Sequence, residues 1–131
     1  MDYYLRMSED MQPMPSADEV DLAVEVFRML SDGTRLRLLW CLTQRPEMSV
    51  NDLAAAVDKS ATSVSQHLAK LRLARLVQTR RDGVSILYRL DSDHARRLVV
   101  EGVHHAEHQG DRVPAHHAGD APAHLEVGEQ R

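Results

Sequence analysis

Seven of the eight histidines in this 131-residue chain lie after residue 93: His94, His104, His105, His108, His116, His117 and His124. Imidazole is the commonest metal-ligating side chain. With neighbouring carboxylates it suits nickel, cobalt or zinc rather than an ion that seeks soft thiolates. One surface histidine needs no explanation, but a cluster of this density favours metal ligation. His105 and His108 are three residues apart, so on a helix they share a face and can chelate together. His94 precedes His105 by 11 residues. On one helix that is about 16 Å of rise, whereas two ligands of one ion each sit roughly 2 Å from it. A single helix therefore cannot unite the three.

A second stretch carries a different chemistry. Between residues 59 and 81 stand Lys59, Lys70, Arg72, Arg75, Arg80 and Arg81 with no Asp or Glu, in a chain of net charge −4. A local basic stretch in an acidic protein is an electrostatic footprint for phosphates. Inside it the run SATSVSQHLAKLRLARLV begins at Ser60 and presents Thr62, Ser63, Ser65, Gln66 and His67 early in a helix. Small side chains let a helix approach the major-groove floor, and Gln bonds adenine through two hydrogen bonds. Hydroxyls at a helix N-terminus suit phosphates. The expected DNA-contacting set is Ser60, Thr62, Ser63, Ser65, Gln66, His67 and Lys70, with Arg80 and Arg81 at the tip of a following hairpin. The alternative is a protein-interaction module with a solvated hairpin.

These groups need elements to hold them. Ser16 or Asp18 can cap a first helix to about Leu30, with Val20, Val24, Phe27 and Leu30 on one face. After a break at Ser31-Asp32-Gly33, Thr34 can cap a second helix containing Leu36, Leu38, Leu39, Trp40 and Leu42. Ser49 or Asn51 starts a short third helix ending near Val57, with Leu53, Ala54 and Val57 inward. The fourth helix opens at Ser60 and buries Val64, Leu68, Leu71 and Leu76. Two β-like runs over 77–80 and 85–90 flank Arg81-Asp82-Gly83, a hairpin signal. Asp91 or Ser92 caps a fifth helix to about His108. The expected fold is mainly α with a small β-hairpin wing, a winged helix-turn-helix in the order α-α-α-α-β-β-α. Residues 1–16 read as a flexible arm and 17–108 as the folded domain. Residues 109–131, rich in Ala, Pro, Gly and His, read as a flexible tail.

Composition narrows the function classes. Aromatic residues are 4% of the chain, so the core must come from Leu, Val, Ala and Met. The one cysteine, Cys41, permits neither an intrachain disulfide nor a cysteine-based zinc site. Beside Trp40 it reads as a core thiol, in a reducing cytoplasmic compartment. No basic-then-apolar leader pattern opens the chain, and no apolar run approaches the roughly 20 residues of a membrane span. Neither a nucleophile–base pair nor a phosphate loop appears, so no enzyme activity is expected.

The run Leu30-Ser31-Asp32-Gly33-Thr34-Arg35, the segment 60–77 and the hairpin 80–90 resemble the ArsR/SmtB family of metal-responsive repressors, over about residues 18–108. The pattern SxxSVSQHLxxLRxARLV followed by RRDGxxxxYRL is specific. The resemblance implies a homodimer joined by its terminal helices, with 17–108 as the DNA-binding and dimerisation domain, and repression relieved by an effector. In arsenic-, cadmium- and lead-sensing relatives a Cys-Val-Cys-like element opens the third helix. Ser49 and Asn51 occupy those thiolate positions here, so soft-metal sensing at that place is not implied.

The resemblance is nearest to the nickel/cobalt-sensing branch of the KmtR type. Ala106-Glu107-His108 and Pro114-Ala115-His116-His117 look like its ligand-bearing C-terminal region, implying His94, Glu107, His108, His116 and His117 as ligands. The NmtR type, with Asp-x-His and His-x-x-His, implies His94, His105 and His108 instead, and Ser92 departs from its Asp. Both agree on His94 and His108. In an ideal helix Glu107 lies about 220° around from His94 while His105 returns close to its face, which favours His105. Fraying toward Gly110 would readmit Glu107. Antiparallel packing of two fifth helices would bring His94 of one subunit to His105 and His108 of the other. Five or six N/O ligands, including the tail histidines, favour octahedral Ni(II) or Co(II), whereas zinc prefers four. The expected function is a cytoplasmic transcriptional repressor. Its metal-free homodimer binds operator DNA, and Ni(II) or Co(II) lowers that affinity. The alternatives are the same fold sensing zinc or no metal, and a His-rich metal-buffering protein.

Overall fold

A computed structural model describes residues 11–110. Ser16 closes a capping box at the head of α1 (Ala17–Leu30): its hydroxyl accepts the Glu19 N–H and the Glu19 carboxylate accepts the Ser16 N–H. Asp32, not Thr34, caps α2 (Gly33–Gln44) by accepting the Arg35 N–H at 2.9 Å. A cap must reach an amide two or three residues on, and Asp32 does so while Thr34 already lies inside the first turn. A two-residue strand that no sequence period reveals, β1 (Met48–Ser49), leads directly into α3 (Val50–Val57), which Ser49 caps through the Asp52 N–H.

The turn between α3 and α4 (Ala61–Leu73) is three residues long. Asp58 ends α3 in the left-handed conformation, and Ser60 caps α4 through the Ser63 N–H. Arg75, at φ 59°, stops α4: its N–H donates to the Arg72 carbonyl and the Leu76 N–H to Leu71. That pair of bonds is a Schellman end. Leu76 is therefore buried just past the helix rather than on its stripe.

Strands β2 (Val77–Asp82) and β3 (Ser85–Leu90) form an antiparallel hairpin, and β1 pairs with the far edge of β3, giving the order β1-β3-β2. Asp82 pairs with Ser85, so the turn is Gly83-Val84 rather than Arg81-Asp82-Gly83. Gly83 takes φ +62° at the first turn position, where a Cβ is strained and a two-residue hairpin favours glycine. Ser92 accepts the Ala95 N–H to start α5 (Asp93–Gly110), which continues past the expected His108.

Leu38, Leu39 and Leu42 of α2, Leu53 of α3, Val64, Leu68 and Leu71 of α4, Val77 of β2 and Val99 of α5 make the fully buried centre. No buried residue among those described is polar or charged. The expected stripe on α1 is reversed in role. Met29 is buried and Val26 and Leu30 pack against the core, while Val20, Val24 and Phe27 are 42%, 48% and 60% exposed. Of the expected stripe only Leu30 packs within the chain, beside Val26 and Met29 from the neighbouring face. No described helix is long and apolar enough to cross a membrane.

Candidate nucleic-acid interface and metal centre

Burial of Val64, Leu68 and Leu71 fixes which side of α4 faces out. Thr62, Ser65, Gln66, Ala69 and Lys70 are exposed on that side, and Val50, Ala61, Thr62, Ser65, Gln66 and Ala69 line a shallow groove. Alanine and hydroxyl residues leave the polypeptide close to whatever enters the groove, with Gln66 as its long polar arm and Lys70 exposed one position beyond Ala69.

Three other residues nominated from sequence are differently placed. Ser60 spends its hydroxyl oxygen on the cap, Ser63 is half-buried, and His67 turns toward α2. Its Nδ1 lies 3.4 Å from an Arg35 Nη1 and 4.0 Å from the Asp32 carboxylate. Arg35 also donates Nε to the Met29 carbonyl at 3.0 Å. The Arg35 N–H, then the Arg35 guanidinium and His67, hold the Asp32 carboxyl below its ordinary range against the opposing effect of burial. His67 thus braces α4 against the end of α1 and the start of α2. The Asp32 and Arg35 roles were missed, although both residues lie in the run that carries the family resemblance.

On the wing, Arg81 stands one rung from the turn and is exposed. Arg80 is one rung further in, and it is not a free cation at the tip as expected. Its Nε and Nη2 donate to the two Glu47 carboxylate oxygens at 2.5 and 2.7 Å. The guanidinium keeps the Glu47 carboxyl below its usual range. Glu47 adjoins β1, so the signal for this pair was hidden with that strand.

Helix α5 carries His94, His105, Glu107 and His108, all exposed. Among the described residues, no three His, Cys, Asp or Glu side chains gather where they could hold a metal ion. The unbroken helix keeps His94 about three turns from His105 and His108. The Nδ1 of His94 lies 3.0 Å from an Arg97 Nη2. Glu107 borders an apolar cavity of about 450 Å³ with Trp40, Cys41 and Val103. Cys41 is half-buried and desolvation pushes its thiol pKa up, so it offers no ready thiolate. His116 and His117 lie outside the described residues. Exposed imidazoles and a carboxylate are donors that borderline divalent ions take, but the described part of one chain brings no three of them together.

Comparison with known proteins adds a frame. Residues 30–80 match the family described as "Helix-turn-helix domain". The chain is 61% identical over 105 residues to the HTH-type transcriptional regulator KmtR of Mycobacterium tuberculosis, covering 80% of this chain and 79% of that one. It is 38% identical over 105 residues to a transcriptional repressor SmtB homolog of Synechocystis, covering 79% of each. The homodimeric winged helix-turn-helix DNA-binding domain of Mb0332 from Mycobacterium bovis superposes with a TM-score of 0.70 at 28% identity, covering 79% of this chain and 95% of that one.

Proposed function

This chain belongs to the ArsR/SmtB family of winged-helix transcriptional regulators, and from that premise we propose that it is a metal-responsive repressor. Two copies bind an operator duplex through α4 and the β2–β3 wing, and Ni(II) or Co(II) held on α5 lowers their affinity for DNA. The open Thr62, Ser65, Gln66 and Lys70 face of α4, set over a fully buried stripe, is the observation that carries the DNA-binding reading. The homodimeric state of Mb0332 and the uncovered Val20, Val24 and Phe27 stripe support a dimer.

His94 and His108 would hold the ion, with His105 or Glu107, and with His116 and His117 from the rest of the chain. Bound there, the metal supplies charge and a demand for converging N/O ligands. The protein's part is to convert that demand into a change of shape. By linkage, metal weakens DNA binding only if it binds the free dimer more tightly than the DNA-bound one. A tenfold release corresponds to about 1.4 kcal/mol of difference.

The test is operator affinity with and without nickel. His94→Ala is expected to abolish nickel-induced release while metal-free DNA binding stays nearly intact. His116→Ala with His117→Ala is expected to give a graded loss. Release by His94→Ala at the wild-type nickel concentration would discard the site on α5. Release by zinc alone would change the ion and leave the fold and DNA reading standing.

A further inference from the structure

One side chain pins the base of the wing to the two-residue connection that leads into α5. Gln78, the second residue of β2, turns its amide toward the connection between β3 and α5. Its Nε2 donates to the Asp91 carboxylate at 2.7 Å and to the Asp91 carbonyl at 3.2 Å. Its Oε1 accepts from Arg89 Nη2 at 3.0 Å, and Arg89 is the residue opposite it in the ladder. The amide orientation is determined by its surroundings: two acceptors face the nitrogen and a guanidinium faces the oxygen. The Asp91 N–H donates to the Leu76 carbonyl at 3.0 Å. Only Asp91 and Ser92 separate β3 from α5, and Ser92 caps that helix. Arg96, in the same first stretch of α5, donates Nη1 to the Thr43 carbonyl of α2 at 2.7 Å. A polar cleft of about 390 Å³ remains between Gln78, Arg89, Asp93 and Arg96. His94 stands in the turn that this network holds.

The hairpin does not need Gln78 to form. Ladder pairing runs unbroken from Val77↔Leu90 to Asp82↔Ser85. What the amide adds is a fixed relation between that ladder and α5. Hydrogen bonds weaken steeply beyond about 3.2 Å or at poor angles. A displacement of Asp91 by an ångström must therefore break the bridge or draw Gln78 and Arg89 with it. A bridge that is either made or broken is the kind of two-state element that coupling between distant sites requires.

We propose that Gln78 is a coupling residue, the joint through which the first turn of α5 sets the position of the wing. The use of this joint by a metal rests on the α5 sensing reading above.

The experiment uses the full chain and a duplex selected by the wild-type protein from a random-sequence pool. Gln78→Leu keeps the side-chain size and removes both polar ends. Asp91→Ala attacks the bridge from the other side and serves should Gln78→Leu not fold. Nickel affinity of the free protein is expected to stay within about threefold of wild type, while a wild-type release in the usual range of about 5- to 150-fold, taken relative to each variant's own nickel-free affinity, falls below about threefold. Independently of metal, amide exchange at residues 91–97 is expected to slow when the wild type binds the duplex, and not to change in the variants. Variants that release DNA as the wild type does, or that transmit the same exchange protection, overturn the proposal. A wild type that ignores nickel overturns the sensing reading instead, and the exchange measurement then decides the joint alone.

Discussion

Helices α4 and α5 both carry polar side chains into solvent, but one chain completes only the first. Helix α4 buries Val64, Leu68 and Leu71 entirely, is capped at its start by Ser60 and closed at its end by the Arg75 reversal, and displays one polar face. Helix α5 buries only Ala95 and Val99, and every residue from His104 to Gly110 is exposed. His105, Glu107 and His108 stand on that uncovered half, about three turns from His94 in the first turn. The outer stripe of α1 is uncovered as well. On the proposed function, the difference separates the two tasks: the face offered for DNA is complete in a single subunit, while the proposed sensing ligands do not converge in the described part of one subunit.

The contrast breaks most visibly in stability. Leu68→Ala is expected to cost about 2–5 kcal/mol, because a fully buried side chain leaves a cavity. His108→Ala, on the exposed half of α5, is expected to change stability by less than about 0.5 kcal/mol. Urea unfolding of the metal-free protein measures both, and comparable losses would contradict the contrast. Next, Gln66→Ala should weaken binding to a selected duplex by about 1–3 kcal/mol, through loss of a base contact. Equal weakening on random DNA would leave Gln66 with no base to read.

The wing sharpens the comparison with a smaller effect. Arg81→Ala should lower the dependence of log affinity on log salt by about one unit if that side chain neutralises a phosphate. Arg80→Ala should lower it less, because Glu47 already engages that guanidinium, and in a Glu47→Gln background the Arg80→Ala effect should rise to match that of Arg81→Ala. Equal slopes for both arginine variants in the presence of Glu47 would mean that the ion pair opens on DNA. The smallest effect is on pH. The folded-state carboxyls of Asp32 and Glu47 titrate below their ordinary values, Asp32 through the Arg35 N–H and Glu47 through the Arg80 guanidinium. Their contribution is present above the unfolded carboxylate values, near pH 4, and is lost as pH falls through the lowered ones. Exposure and solvent screening keep that contribution small. Unfolding midpoints across the acid range should fall less steeply in Asp32→Asn than in wild type.

Much of the fold was legible because its causes are local. Caps act over three residues, so Ser16, Ser49 and Ser60 could be read as helix starts. The buried members of α4 follow from a 3.6-residue period. The turn was expected at Arg81-Asp82-Gly83 and lies at Gly83-Val84, because Asp-Gly signals a hairpin without stating which residues close the ladder. Of the proposed interface, Thr62, Ser65, Gln66 and Lys70 could be nominated from residue type and position, whereas the inward turn of His67 depends on Asp32 and Arg35 more than thirty residues away.

By itself, then, the sequence determined the order of the five helices and the hairpin, the stripe that α4 buries and the gathering of histidines toward the C-terminal end. Each of these rests on neighbours within a turn or two. Only the tertiary structure decided what depends on distant partners. Strand β1 exists because Met48 meets Tyr88, Arg80 is engaged because Glu47 lies 33 residues back, and α5 is tied to the wing because Gln78 reaches Asp91. The same holds for α1, whose packed face was chosen by the core it meets. A residue's own type and period announce that it has an apolar or charged side to satisfy, and the folded chain alone selects the partner.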